Sequence, residues 1–329
     1  MRAIISAVSH FAPEKKLTNT DLVKLVDTSE EWIVTRTGIK ERVILDKDIG
    51  TSYMAAKAAK SLLEQRKIDP DELDLIIVAT VTPDMFFPST ASIVQHEINA
   101  TNCWGYDLLV GCSGFIFALI TAKQFIEAGQ YKKVMIIGAD KMSSITNYKD
   151  RNTCILFGDA AGAVLLEPSD DNSVGIMDHI FKTDGSGKEF LHMPAGGSLC
   201  PATTESVAKG LHYLHQDGKI VFKKAVLGMC DTTRKVMEKN SLSAKDIKFY
   251  IPHQANIRII ESVAKKLGLK KEQVVINIEK YGNTTAATIP MALSEVYQAG
   301  LLNKGDNIIF SAFGTGFSWG SIFLTWAME

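Results

Sequence analysis

An excess of either charge, cysteines in pairs and apolar runs of membrane length are all missing from this 329-residue sequence. Lysine plus arginine number 36 against 37 for aspartate plus glutamate, leaving a formal net charge of −1 and no global field for nucleic acid or an anionic membrane. A charged partner must then be met by a local patch. The five cysteines (Cys103, Cys112, Cys154, Cys200 and Cys230) are odd in number and form no C-x-x-C pair, and Met1 to Ser6 lacks the apolar core of a signal peptide. Both features fit a reducing cytoplasm. The longest uncharged stretch, Leu108 to Ala122, is too short for a bilayer and is broken by Gly111, Ser113 and Gly114. Zinc-ligand spacing, H-E-x-x-H and an early helix-opening G-x-G-x-x-G are absent too, so neither a metal nor a nicotinamide cofactor is expected. What is present, 46% hydrophobic and 22% charged residues, is an ordinary globular composition.

The chain carries a faint internal duplication. Ile68 to Ile77 and Leu242 to Ile251 share the layout of an acidic turn feeding an apolar strand, at an offset of 174. Ala128-Gly129 and Ala299-Gly300 end helices at an offset of 171, and the same offset places Cys112 opposite Asn283. Each half reads as strand, helix, strand, helix, strand, strand, which predicts an α/β architecture with helix-covered sheets. The predicted division is a first half over 1–170, a connecting region over 171–220, and a second half over 221–329. Pro290 limits the second half's last helix to a start near Thr288, because proline is tolerated only in a first turn.

Cys112 lies in Leu109-Val110-Gly111-Cys112-Ser113-Gly114-Phe115, a small-residue turn between an apolar strand and an apolar helix. Most cysteines in apolar runs merely pack. Here the repeat marks the position, and a helix start is expected to favour the thiolate. His253 follows the apolar strand ending at Pro252, at the sheet edge where ligands of α/β proteins gather. Asn283, between Gly282 and Thr284, would by itself be a capping residue. Phe313-Gly314-Thr315-Gly316-Phe317 is either a plain hairpin turn or a source of main-chain N–H groups for an oxyanion.

Gly111-Cys112-Ser113-Gly114-Phe115, Ile251-Pro252-His253-Gln254-Ala255-Asn256-Ile257-Arg258 and Tyr281-Gly282-Asn283-Thr284-Thr285 together resemble the three catalytic blocks of the β-ketoacyl-[acyl-carrier-protein] synthase III family. Glu31 to Ile39, Phe157 to Ala163 and Phe313 to Phe317 extend the resemblance over nearly the whole chain, leaving out 185–218. It implies a thiolase-like five-layered αβαβα fold, a homodimer, and an acyltransferase that joins an acyl-CoA primer to malonyl-ACP (acyl carrier protein), both as substrates rather than cofactors. By the same resemblance Cys112 carries the acyl group, and His253 and Asn283 donate hydrogen bonds to the malonyl thioester oxygen. The N–H groups of Cys112 and Thr315 form the oxyanion hole. Many relatives have glycine where Thr315 stands and alanine where Ser113 stands, which bears on pocket shape and not on the main-chain donors.

The resemblance further assigns coenzyme A contacts to Thr28, Trp32, Arg36, Arg151 and Asn256, with Trp32 and Arg151 on either side of the adenine. Gln254, Ala255, Asn256, Ile257 and Arg258 correspond to the carrier-protein segment, and Phe87 to an aromatic that closes the partner's acyl pocket and favours a short primer such as acetyl. The alternatives are a specialised starter enzyme of polyketide assembly, with the same three residues and another acceptor, and a silent carrier-binding scaffold, which would have no use for a nucleophile.

Overall fold

The structure, a computed structural model, describes all residues from Met1 to Glu329. Its principal strands are β1 (Arg2–Phe11), β2 (Leu75–Ala79), β3 (Trp104–Leu108), β4 (Val134–Lys141), β5 (Asp159–Ser169), β6 (Gly175–Thr183), β7 (Phe249–Pro252), β8 (Asn307–Gly314) and β9 (Ser318–Thr325). The helices that shape the site are α1 (Glu30–Thr37), α2 (Thr51–Arg66), α3 (Thr90–Glu97), α4 (Gly114–Glu127), α5 (Gly218–Lys239), α6 (Ile257–Leu267) and α7 (Thr288–Gln298).

Two sheets form, in the orders β1-β5-β4-β2-β3 and β6-β9-β8-β7. In each, the first two pairings are antiparallel and the third is parallel. The duplication seen as offsets in sequence is thus a repeated topology. It is incomplete at one edge: β3 adds to the first sheet, whereas its counterpart in the second is a single bridge between Tyr250 and Val274. Only Val274, Val275 and Ile276 are apolar between the Lys271–Gln273 turn and Asn277, too few for a full strand. The stretch 171–220, expected only to connect the halves, contributes β6 to the second sheet. Asp178, His179 and Lys182 on that half-buried strand mask its apolar pattern. After Thr183 the region holds only short pieces, among them a five-residue helix, Thr204–Ala208.

Alternation along the strands sets the layers. Leu75, Ile77 and Ala79 point to α4 and α7, which Ile308, Phe310 and Ala312 of the second sheet cover from the other side. Ile76 and Val78 point outward to Met54, Leu62 and Val94 of α2 and α3. Tyr250 and Ile309 point to Val226, Met229 and Val263 of α5 and α6. The result is helix, sheet, helix, sheet, helix, the five-layered αβαβα arrangement. Because α4 has a sheet on each side it buries residues all round, Phe115, Ile116, Ala118, Leu119 and Ala122 among them. Each large apolar side chain so buried contributes about 2 kcal/mol of transfer free energy. At Gly138 in β4 the Ala286 carbonyl comes so close that a Cβ would overlap it, which seats the segment before α7 on the carboxyl end of β4.

Candidate active site

The chain passes from β3 into α4 through a tight turn, Gly111–Ser113, with Cys112 at its centre. Gly111 has φ +57°, and Thr315 Oγ1 stands where its Cβ would be. On the opposite strand end, a Cβ on Gly314 would lie 2.9 Å from Cys112 N and 3.0 Å from Ser113 N. The two glycines therefore let the turn after β8 lie directly against the main chain that opens α4, bringing Cys112 and Thr315 together. The buried Ser113 hydroxyl donates to the Ser318 carbonyl at 2.8 Å, so it ties the two turns together and is not part of the cavity lining.

His253 continues from β7, its main-chain N–H donating to Ser311 O at 2.8 Å. The ring is 2% exposed and its Nδ1 lies 2.7 Å from Thr288 Oγ1. Burial drives its pKa down to about 3, so the imidazole is neutral. Asn283 is pinned by its N–H to Leu156 O at 2.8 Å and by Gly158 N–H to its carbonyl at 3.1 Å. Its side-chain Oδ1 accepts the Thr285 N–H at 2.9 Å, leaving the amide NH₂ as the end free for a ligand.

Cys112, His253, Asn283 and Thr315 line one cavity of about 470 Å³. The lining is largely apolar, with Met142, Phe157, Phe222 and Met229 among its walls, and its charged side chains, Arg36, Lys219 and Arg258, are all cationic. Such a site suits an anionic ligand with a long uncharged arm. The state of Cys112 differs from the sequence expectation. Desolvation by the cavity walls, joined by the negative field of buried Asp140, pushes the thiol up to about 12, and a main-chain hydrogen bond opposes this only partly. In the free protein Cys112 is a thiol, because desolvation first and the buried Asp140 carboxylate second outweigh the donors of its helix start.

Trp32 sits on α1, whose N-cap Ser29 accepts the Trp32 N–H at 3.1 Å. The guanidinium carbons of Arg151 and Arg36 lie 5.0 Å and 5.9 Å from the Trp32 ring centre. Arg151 thus rests on the indole itself, and a planar base would have to part the two. Thr28 has a buried hydroxyl without a hydrogen-bond partner. Asn256 caps α6 through the Arg258 N–H at 2.9 Å and donates to Arg36 O at 2.9 Å, bolting α6 to α1.

Within the expected carrier-protein segment the structure separates the residues. Gln254 is 1% exposed; its amide donates to Pro252 O and Val275 O and accepts Asn277 N–H, so it is a strut inside the protein and not a contact residue. Ile257 packs on Gly38, and Ala255 faces the cavity. Arg258 is exposed, with its guanidinium 5.4 Å from the Phe222 ring centre. Phe87 is 85% exposed beside Phe86 and lies outside the cavity lining.

Three residues supporting the site went unread in the sequence. Asp140, fully buried at the end of β4, accepts hydrogen bonds from Thr80 Oγ1, Val81 N, Thr82 N and Oγ1, Thr285 Oγ1 and Ala286 N. Thr285 (φ +50°) and Thr288 stand behind Asn283 and His253. A carboxylate closing the apolar run Val134 to Ala139 was the available signal. Nothing in the sequence marks one threonine above its neighbours.

Residues 106–185 match the family model described as 3-oxoacyl-[acyl-carrier-protein (ACP)] synthase III, and residues 237–326 match that family's C-terminal model. The chain belongs to the 3-oxoacyl-[acyl-carrier-protein] synthase III family. The β-ketoacyl-[acyl-carrier-protein] synthase III of Chlorobaculum tepidum is 51% identical over 328 residues, spanning 99% of this chain and 100% of the relative. That of Koribacter versatilis is 51% identical over 327 residues, spanning 99% and 98%. The crystal structure of 3-oxoacyl-[acyl-carrier-protein] synthase III from Aquifex aeolicus VF5 matches with a TM-score of 0.91 at 44% identity, over 98% of this chain and all of that one. As a member of this family the chain is an acyltransferase of the condensing type, and the family resemblance drawn from its motifs holds over its full length.

Proposed function

We propose that the chain starts fatty-acid synthesis by condensing an acyl-CoA primer, acetyl-CoA foremost, with malonyl-ACP through an acyl group carried on Cys112. The observation that supports this best is the meeting of Cys112, His253, Asn283 and Thr315 on one apolar cavity whose charged residues are all cationic.

In the first half-reaction the Cys112 sulfur attacks the acyl-CoA carbonyl, the N–H groups of Cys112 and Thr315 hold the oxyanion, and CoA leaves with the thiol proton. Such a main-chain donor is worth about 3 kcal/mol in related chemistry. In the second, malonyl-ACP loses CO₂ while His253 and Asn283 donate to the thioester oxygen of the resulting enolate. The carbanion attacks the acyl-Cys112 carbonyl, 3-oxoacyl-ACP departs, and the Cys112 thiolate takes a proton from water, as a thiol so strongly raised must.

Coenzyme A would lie along Trp32, Arg36, Arg151 and Asn256, with the orphaned Thr28 hydroxyl available to the base. Arg258 would face the acidic carrier protein. No resident cofactor enters this scheme. A homodimer accounts for β3 being paired on one side only and for the exposure of Met85, Phe86, Phe87 and Leu109 near it; Phe87 would then close the partner's acyl pocket and keep the primer short. A cytoplasmic setting would keep the five unpaired cysteines reduced. A steady-state panel of acetyl-, branched and longer acyl-CoA primers with malonyl-ACP tests the proposal: turnover is greatest with acetyl-CoA, and turnover only with a specialised starter overturns the primer assignment.

A further inference from the structure

Thr288 Oγ1 has one proton and two neighbours that can take it, His253 Nδ1 at 2.7 Å and Thr285 O at 2.9 Å. The Thr285 carbonyl already accepts the main-chain N–H of Thr288. The buried Nδ1 has no other side-chain donor beside it. An unmet acceptor on an imidazole that is 2% exposed is costly, whereas the second lone pair of a carbonyl that already has a partner is cheap to leave empty.

From this arrangement we infer that Thr288 is a positioning residue that sets the tautomer of His253: its hydroxyl donates to Nδ1, so the ring's single N–H is on Nε2, toward the cavity. The inference rests on the function proposed above, in which Nε2 must donate to the enolate oxygen. It adds the group that decides whether that donor exists. With the opposite tautomer, Nδ1–H would donate to Thr288 and Nε2 would turn a lone pair to the enolate, repelling the charge it should stabilise.

The arrangement has a common anchor. Thr285 supplies the N–H that turns the Asn283 amide, offers the carbonyl that competes for the Thr288 proton, and is itself held by Asp140 through its hydroxyl. Thr285, in a left-handed backbone conformation, thus orients the Asn283 amide directly and holds the main chain of Thr288, which faces His253. The ring is neutral because burial disfavours its charged form, and no charged group offsets this.

The test combines ring ¹⁵N NMR of histidine-labelled full-length protein, assigned with His253→Ala, with the two half-reactions assayed separately in wild type, Thr288→Val and Thr288→Ser. The wild type shows a protonated Nε2 and an unprotonated Nδ1. Thr288→Val, which keeps the shape and loses the hydroxyl, slows malonyl-ACP decarboxylation about 10- to 100-fold, the usual cost of losing a group that orients a catalytic one, and slows Cys112 acylation by less. Thr288→Ser restores both the tautomer and the rate. A protonated Nδ1 in the wild type, or a Thr288→Val form that decarboxylates at the wild-type rate, overturns the inference. A wild type that does not decarboxylate malonyl-ACP at all overturns the proposed function instead. If Thr288→Val does not fold, the wild-type NMR spectrum and Thr288→Ala still decide the question.

Discussion

Asp140 holds Thr285 through a hydrogen bond from the threonine hydroxyl to its buried carboxylate. Both carboxylate oxygens accept only N–H and O–H donors, three of them from main chain. An amide in this place would turn its NH₂ against groups that are themselves donors. Asp140→Asn should lose about 2–3 kcal/mol of stability and let Thr285 shift, slowing malonyl-ACP decarboxylation about 10- to 100-fold. Urea unfolding and the decarboxylation assay check the two effects; a fully stable, fully active variant would remove Asp140 from the account.

Cys112 titrates far above neutrality, through burial first and the Asp140 field second. Alkylation by iodoacetamide follows the thiolate fraction, so its rate in the free enzyme should climb about tenfold per pH unit across roughly pH 7 to 9. A rate that levels off near neutral pH contradicts the raised thiol. In Asp140→Asn, with the charge removed, the same curve should move to lower pH.

His253 is held neutral with its pKa down to about 3, against an ordinary 6.5. The unfolded chain therefore binds a proton there between those values that the folded chain does not, and stability contributed above the unfolded pKa is lost as pH falls through this window. Between roughly pH 7 and 5 the loss amounts to about 2 kcal/mol. His253→Gln should lack this part of the acid sensitivity, which denaturant unfolding at the two pH values measures. Equal pH slopes for the two proteins would show that the ring is not kept neutral by the fold.

The parts of the structure legible in sequence are those carried by periodicity and punctuation. Gly129 and Gly300 mark helix ends, Pro290 marks a helix start, and the 171-residue offset pairs Cys112 with Asn283, now seen on one cavity. The strand Gly175–Thr183 is hidden in sequence because Asp178, His179 and Lys182 interrupt its half-buried apolar pattern. The thiol state of Cys112 is not legible because local sequence shows a helix start but neither the burial nor the nearby Asp140 carboxylate that tertiary packing supplies. Gln254 is adjacent to functional residues in sequence, yet its side chain turns inward to bind Pro252, Val275 and Asn277. Motif adjacency gives no direction to a side chain; packing does.

The division of labour between Cys112 and His253 is tested most directly by incubating wild type and His253→Ala with labelled acetyl-CoA, mapping the label by peptide mass, and then adding malonyl-ACP and measuring CO₂. Both proteins should carry acetyl on Cys112, and the variant should release CO₂ at least about 100-fold more slowly than the wild type. A Cys112 left unlabelled by acetyl-CoA and by every longer acyl-CoA, or a His253→Ala form that decarboxylates at the wild-type rate, would contradict the account.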